Sequence, residues 1–185
     1  MKKYQIIYAD PPWAGGTECL ASKSHIVDKN SYHYPAMATQ DICNLGIGLR
    51  RYLDDNCLLF LWVRSPALED GLQVGKAWGF KYATVSFVWY KERTNPGHYT
   101  MSECELNLVF KRNKIPLPRG SRNERQFLAS LRRKHSEKPL EIMKRIERMF
   151  PTQNKLELFA RQKVEGWDCW GNEVESDIEL LEGEL

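Results

Sequence analysis

Seven consecutive apolar residues, Cys57-Leu58-Leu59-Phe60-Leu61-Trp62-Val63, limit the fold more than any other feature. A run this short and this unbroken is a strand covered on both faces, which places it centrally in a sheet. Strand and helix patterns alternate around it. Tyr4-Gln5-Ile6-Ile7 is an apolar, β-branched run that reads as a first strand. Thr39 is placed to cap a helix running to about Leu53, with Ile42, Leu45, Leu49 and Leu53 on one side. Gly46 and Gly48 weaken its middle. Ser65-Pro66 opens a second helix that ends near Trp78-Gly79. Tyr82 to Tyr90 and Glu105 to Phe110 are strands with no helix between them, which predicts an antiparallel pair at a sheet edge. Pro139 opens a helix burying Ile142, Met143, Ile146 and Met149, and Lys155 to Phe159 reads as the last strand.

This is an α/β pattern of 185 residues, enough for one domain with a substantial core. Residues 1–172 read as that domain and 173–185 as an acidic tail. No apolar run approaches a membrane span, and Met1-Lys2-Lys3-Tyr4 leads straight into a strand, so neither membrane nor signal peptide is expected. The five cysteines (Cys19, Cys43, Cys57, Cys104, Cys169) are scattered without a Cys-x-x-Cys pair. That pattern reads as reduced thiols in a cytoplasm, with no metal site.

The first strand runs into Tyr8-Ala9-Asp10-Pro11-Pro12-Trp13. Ligands of open α/β sheets sit beyond the carboxyl ends of the strands, where Asp10 falls. Two prolines fix φ and remove two donors, leaving the local carbonyls to accept from a ligand. Trp13 adds a flat apolar face. A carboxylate, a free carbonyl and an aromatic plate suit a planar ring that carries an amino group. The adenine amine is a weak nucleophile because its lone pair is delocalised into the ring. If Asp10 and the Pro11 carbonyl accept its two hydrogens, the nitrogen can pyramidalise toward an electrophilic methyl, with Trp13 holding the base in line. The plain alternative is an Asp-Pro-Pro turn closing a strand.

Ala14 to Tyr34 is long, polar and without period, and reads as a lid. Tyr34 at its end either contacts a base or packs. Net charge is +3, yet six acidic residues and no basic one lie from Glu173 onward, so residues 1–172 carry +9. Nine of the basic residues fall between Lys111 and Lys134 against Glu124 alone. Such a run is either a solvated face or a contact for a phosphate backbone, and its place beside a base pocket favours the second. Pro116, Pro118 and Gly120 argue for a mobile loop there. Glu157 lies in the last strand close to its carboxyl end, where an acidic residue commonly takes ribose hydroxyls, though an edge salt bridge explains it as well. Lys138 and Asn172 are either pocket residues or a surface charge and a turn residue.

Taken together, the segments resemble the adenine methyltransferases typified by the catalytic subunit of the eukaryotic messenger-RNA adenine methylation complex, a family with bacterial and phage members. Besides Tyr8 to Trp13, the likeness lies in Phe60-Leu61-Trp62-Val63, Val88-Trp89-Tyr90-Lys91, Gly97-His98-Tyr99 followed by Glu105, and His135-Ser136-Glu137-Lys138-Pro139. It continues through Lys155 to Arg161, Gly166-Trp167 and Gly171-Asn172-Glu173. The resemblance implies a Rossmann-like fold with a mostly parallel mixed sheet in permuted order, the amine-binding strand first and the S-adenosylmethionine strand last. It implies Asp10, Pro11, Pro12 and Trp13 as the catalytic segment. Lys138 would meet the cofactor's carboxylate or the base; Asp10, Glu157, Phe159, Arg161, Trp167, Asn172 and Glu173 would surround the cofactor. Tyr34 and Glu105 would line the acceptor side, and the basic run, with Lys111, Arg112, Arg119 and Arg122, would meet the nucleic acid. As in the family, no Gly-x-Gly follows the last strand; Gln162 and Lys163 are the candidates for touching adenosine.

The activity implied is direct methyl transfer to the adenine amine, and a compact chain without RNA-binding appendages favours DNA over RNA. With no recognition domain visible, a homodimer or a second subunit would help to choose the target. Two other classes compete: a catalytically silent binding subunit, and another nucleotide-dependent enzyme such as a small kinase. The intact Asp10-Pro11-Pro12-Trp13 speaks against the first, and the absence of a Gly-x-x-x-x-Gly-Lys-Ser/Thr loop against the second.

Overall fold

Side chains alternate across a strand, and β1 (Tyr4–Ala9) shows the consequence: Ile7 and Ala9 enter a first core while Ile6 and Tyr8 enter a second. In β2 (Leu53–Arg64) the apolar run splits the same way. Leu59, Leu61 and Val63 face the first core, and Leu58, Phe60 and Trp62 the second. The computed structural model describes residues 1–14, 36–95, 99–131 and 137–180. Lid residues 15–35 with Tyr34, the Gly97-His98 pair, and Arg132, Arg133, Lys134 and His135 lie outside the described residues.

The remaining strands are β3 (Lys81–Asn95), β4 (Ser102–Arg112), β5 (Phe127–Ala129), β6 (Lys155–Leu158) and β7 (Asp168–Trp170). Among the described residues they form a seven-stranded sheet ordered β5-β3-β4-β2-β1-β6-β7. All pairings are parallel except those of β4 with β2 and β3, so β4 runs against the rest. The β3–β4 hairpin forms as the missing helix predicts, with β5 added outside it.

Helices α1 (Thr39–Leu49) and α2 (Leu68–Ala77) cover the first core, and α3 (Leu140–Met149) covers the second through Ile142, Met143 and Ile146. Gly46 does more than weaken α1: a Cβ there would stand 2.6 Å from Trp78 Cδ1, so the glycine admits the buried indole. Trp78 then donates to the Ile42 carbonyl at 2.8 Å. The helix stops at Leu49, and after a 3₁₀ turn over Arg50–Tyr52, Leu53 already belongs to β2. Nor does Thr39 cap it. The cap position is Ala38, and the Thr39 hydroxyl donates to Asp70 at 2.9 Å, joining α1 to the first turn of α2.

Three other expectations change. Lys155 to Leu158 is not the last strand, since β7 follows. The described part of the basic stretch is fastened rather than loose around Gly120 to Glu124. Gly120 and Ser121 donate to the Met149 and Arg148 carbonyls at 3.0 and 2.7 Å, satisfying the end of α3, and Arg148 grips Glu124 through two 2.8 Å bonds. The acidic segment is anchored as far as Leu180: Ile178 and Leu180 are buried in the first core, and Tyr52 donates to the Glu179 carbonyl at 3.0 Å.

Candidate active site

Register gathers the charged residues. β1 and β6 run parallel with Tyr8 beside Glu157 and Ala9 beside Leu158, so Asp10 and Glu157 emerge at the same end of neighbouring strands. β2 ends there too, at Arg64. Because β4 is reversed, its early residue Glu105 is the one that lies opposite Arg64. Lys138 arrives from the turn before α3.

Lys138 Nζ donates to both oxygens of Asp10, at 2.7 and 2.8 Å, and stands 3.3 Å from Glu105 Oε2. Glu105 Oε1 in turn meets Lys91 Nζ at 3.4 Å. The line Asp10–Lys138–Glu105–Lys91 alternates in sign, and none of its side chains is more than 22% exposed. Burial pushes the Asp10 carboxyl above its ordinary value, against the pull of Lys138. Burial alone would lower Lys138, but the Asp10 and Glu105 carboxylates outweigh it and raise its ammonium. Burial works against the Glu105 carboxylate, yet Lys138 and Lys91 prevail and hold it below the usual range. The ammonium also lies 5.6 Å from the centre of the buried Trp62 ring, whose indole N–H donates to Tyr8 Oη at 2.6 Å. Glu157 differs. Burial, with the Asp10 charge second, pushes its carboxyl up to about 7, and its Oε2 is buried with no hydrogen-bond partner among the described residues.

The Asp-Pro-Pro-Trp segment is held by its backbone. Trp13 N–H donates to the Pro11 carbonyl at 2.9 Å and Met37 N–H to the Pro12 carbonyl at 2.8 Å. The carbonyls expected to be free are therefore each engaged once, and a second lone pair remains on each. Trp13 Nε1 donates to the Trp62 carbonyl at 3.0 Å, and Arg64 donates to the Trp13 carbonyl at 3.3 Å.

On the β6 side, Phe159 follows Glu157 with φ of +63°, a left-handed conformation that costs a non-glycine residue about 1 kcal/mol and that tends to occur at ligand sites. Its ring meets Trp170 edge-on at 5.5 Å. Arg161 is close enough to draw on the Asp10 carboxylate. Asn172 and Glu173 are exposed just past β7, at the same end of the sheet. Gln162 and Lys163 are exposed, with Lys163 at 3.4 Å from Asp177. Trp167 does not join this group. It is buried in the second core, edge-on to Tyr8 at 5.9 Å, with its indole donating to Glu147 at 2.7 Å.

The basic contacts move furthest from expectation. Lys111 and Arg112 pair with Leu58 and Cys57 at the start of β2, the opposite end of the sheet from Arg64 and Glu105. Seven residues of strand separate Glu105 from Arg112, about 23 Å at 3.3 Å per residue. Arg119 lies over Phe150 at 5.2 Å, beyond the far end of α3, and Arg122 is exposed near the same end. Sequence reasoning missed Lys91 as a site residue; its signal was its place two residues beyond Trp89, on the alternation that buries Phe87 and Trp89. Among the described residues no group of three or more His, Cys, Asp or Glu could hold a metal, and no helix is long and apolar enough to cross a membrane.

Mostly parallel strands bring a carboxylate, its lysine and a second acidic residue to one sheet end, the end at which open α/β sheets hold their ligands. The MT-A70 family pattern matches residues 4–173, and the chain belongs to that family. The Type II methyltransferase M.MunI of Mycoplasma sp is 43% identical, over 100% of this chain and 84% of that protein. The N(6)-adenosine-methyltransferase MT-A70-like protein of Drosophila melanogaster is 31% identical over 99% of this chain, and the METTL3 catalytic subunit of Homo sapiens 29% over 99%. The chain spans only 29% and 30% of the length of those two relatives.

Proposed function

We propose that this methyltransferase uses S-adenosylmethionine to methylate the exocyclic amine of adenine in DNA. The observation that carries the reading is that the Asp10 and Glu157 carboxylates leave neighbouring strands at one end, with Glu157 Oε2 buried and lacking a donor among the described residues. A buried acceptor left unpaired is costly, and a ribose hydroxyl supplies what it lacks. On that ground the residues fit the cofactor. When bound, S-adenosylmethionine provides an electrophilic methyl on a sulfonium.

The chain's own residues do the rest. Asp10 and the second lone pair of the Pro11 carbonyl accept the amine hydrogens, and Pro12 keeps the segment rigid. Trp13 supports the base, and Glu105 lines the acceptor side. Glu157 takes the ribose, with Phe159, Arg161, Asn172 and Glu173 around the cofactor. Lys138 neutralises Asp10 and would meet the cofactor's carboxylate or the base. Transfer would join the methyl to the amine nitrogen and leave the sulfur as a neutral thioether, and the proton lost from the amine would pass to solvent, with Asp10 accepting its hydrogen bond on the way. Positioning carries most of the catalysis, since the electrophile is already strong.

The sheet reads as the permuted arrangement, amine-binding strand first and cofactor-binding strand last. DNA is preferred because the likeness to the Type II methyltransferase spans most of that protein, whereas under a third of each eukaryotic relative is matched. In a duplex the adenine must be flipped out, at about a few kcal/mol that backbone contacts offset. A homodimer or a second subunit would add target choice, and the free thiols of Cys43, Cys57, Cys104 and Cys169 suit a cytoplasmic enzyme. The test is incubation with methyl-labelled cofactor and matched DNA and RNA oligonucleotides, beside Asp10→Ala. Label on adenine of the DNA, lost in the variant, is expected. Label on cytosine, or label undiminished in the variant, overturns the reading, and label on RNA alone overturns the choice of DNA.

A further inference from the structure

We propose that Lys91 is a positioning residue for methyl transfer: by holding Glu105 in place, it lets that carboxylate receive Lys138 when Asp10 turns to the substrate amine. The inference rests on Asp10 being the amine acceptor. Lys138 engages both Asp10 oxygens at 2.7 and 2.8 Å, so an incoming amine competes with the ammonium for the same lone pairs. A second carboxylate oxygen, Glu105 Oε2, stands 3.3 Å from the same nitrogen. A movement of about half an ångström makes that contact a full hydrogen bond and changes the ammonium's main partner.

The exchange needs Glu105 to be ionised and fixed, and Lys91 is placed for both. It lies on β3 with 6% exposure and meets the other oxygen, Oε1, at 3.4 Å. A lysine this buried is retained only with a partner, and Glu105 is one. Among the described residues, the cations that draw most on Glu105 are Lys138 and Lys91. Tyr8 on β1 and Asp10 just past it offer no positive charge. Arg64, its neighbour on β2, directs its guanidinium to the Trp13 and Ala14 carbonyls at 3.3 and 3.5 Å. Lys138 is the group being exchanged. Lys91 touches neither the Asp10 carboxylate nor the Asp-Pro-Pro-Trp backbone in any bond described above, so it acts through Glu105.

The test compares K91M, which keeps the length of the stem without its charge, with K91R, which keeps the charge. K91M lowers kcat by about tenfold or more, as a misplaced supporting group does. It leaves KM for cofactor and oligonucleotide within about twofold. It also moves the acid limb of the kcat–pH profile upward by about one pH unit, because Glu105 has lost a cation. K91R recovers rate and profile. In an E105Q background K91M costs nothing further, since the partner it serves is gone. A ¹³C-carboxyl titration by NMR reads the same change at Glu105 directly. If the parent enzyme transfers no methyl to adenine, the proposed function fails and takes this inference with it. If the parent is active and D10A is dead, an unmoved acid limb, or an equal loss from K91M in the E105Q background, overturns the inference alone. Should K91M not fold, K91Q with E105Q repeats the comparison with two amides, and an added loss there refutes it equally.

Discussion

If Glu157 holds the cofactor's ribose as proposed, binding at pH 6 should expel a proton from its carboxyl. Burial and the Asp10 charge raise this group from an ordinary 4.5 to about 7. The sign follows from which form the fold favours. An acid raised in the folded state contributes stability that is complete below 4.5 and is lost as pH rises through about 7. At 1.36 kcal/mol per pH unit the gap amounts to about 3 kcal/mol, an upper value because the side chain is partly open to solvent. Ribose hydroxyls donate to a carboxylate, and a nearby sulfonium is positive, so the bound state favours ionised Glu157. If binding returns the group to its ordinary range, about 0.9 proton is released at pH 6 and about 0.1 at pH 8. Affinity then falls by about tenfold for each pH unit between 7 and 4.5. Titration calorimetry in two buffers of different ionisation enthalpy measures the release, and Glu157→Gln abolishes it. Binding enthalpies at pH 6 that do not depend on the buffer, or proton uptake, would refute the assignment of Glu157 to the cofactor.

Three further outcomes are expected. Tyr8→Phe leaves the buried Trp62 indole N–H, now 2.6 Å from Tyr8 Oη, without an acceptor and costs about 1–3 kcal/mol in urea unfolding; an unchanged midpoint would contradict the bond. Gly75→Ala sets a methyl 2.3 Å from Phe110 Cε1 on a fully buried ring and destabilises by about 1–3 kcal/mol, and thermal unfolding without a loss would disprove that close approach. Replacing Lys111 and Arg112 together by Ala leaves kcat/KM on a short oligonucleotide within about twofold, because both lie at the far end of the sheet. A tenfold loss on that substrate would mean that the nucleic acid reaches around the molecule.

Strands and helices with long periods were legible from the residues. The apolar run at Cys57–Val63 can only be central, and the α3 pattern of Ile142, Met143 and Ile146 is plain. Elements of three residues were not legible. β5 is Phe-Leu-Ala at the end of a basic run, and β7 is Asp-Cys-Trp between glycines; neither is long enough to show a period, and pairing with a formed edge creates both. The same limit explains the site. Asp10 and Glu157 could be placed because both end strands that run the same way. Lys111 and Arg112 could not, because the direction of β4 decides which of its ends faces the crevice, and reversal sends its basic end away while bringing Glu105 in. Trp167 was placed at the cofactor by the family resemblance alone, and a motif match does not say which face of the sheet a side chain takes. Ile178 and Leu180 were hidden among acidic neighbours, although each is an apolar anchor.

The central proposal is that Asp10 grips the adenine amine at the sheet end where Glu157 also emerges. Single-turnover methylation by Asp10→Asn, with cofactor affinity measured on the same sample, tests it most directly. The carboxamide keeps the shape, so cofactor binding stays within about threefold while the transfer rate falls by about a hundredfold or more. A transfer rate close to that of the parent, with cofactor bound, would contradict the account.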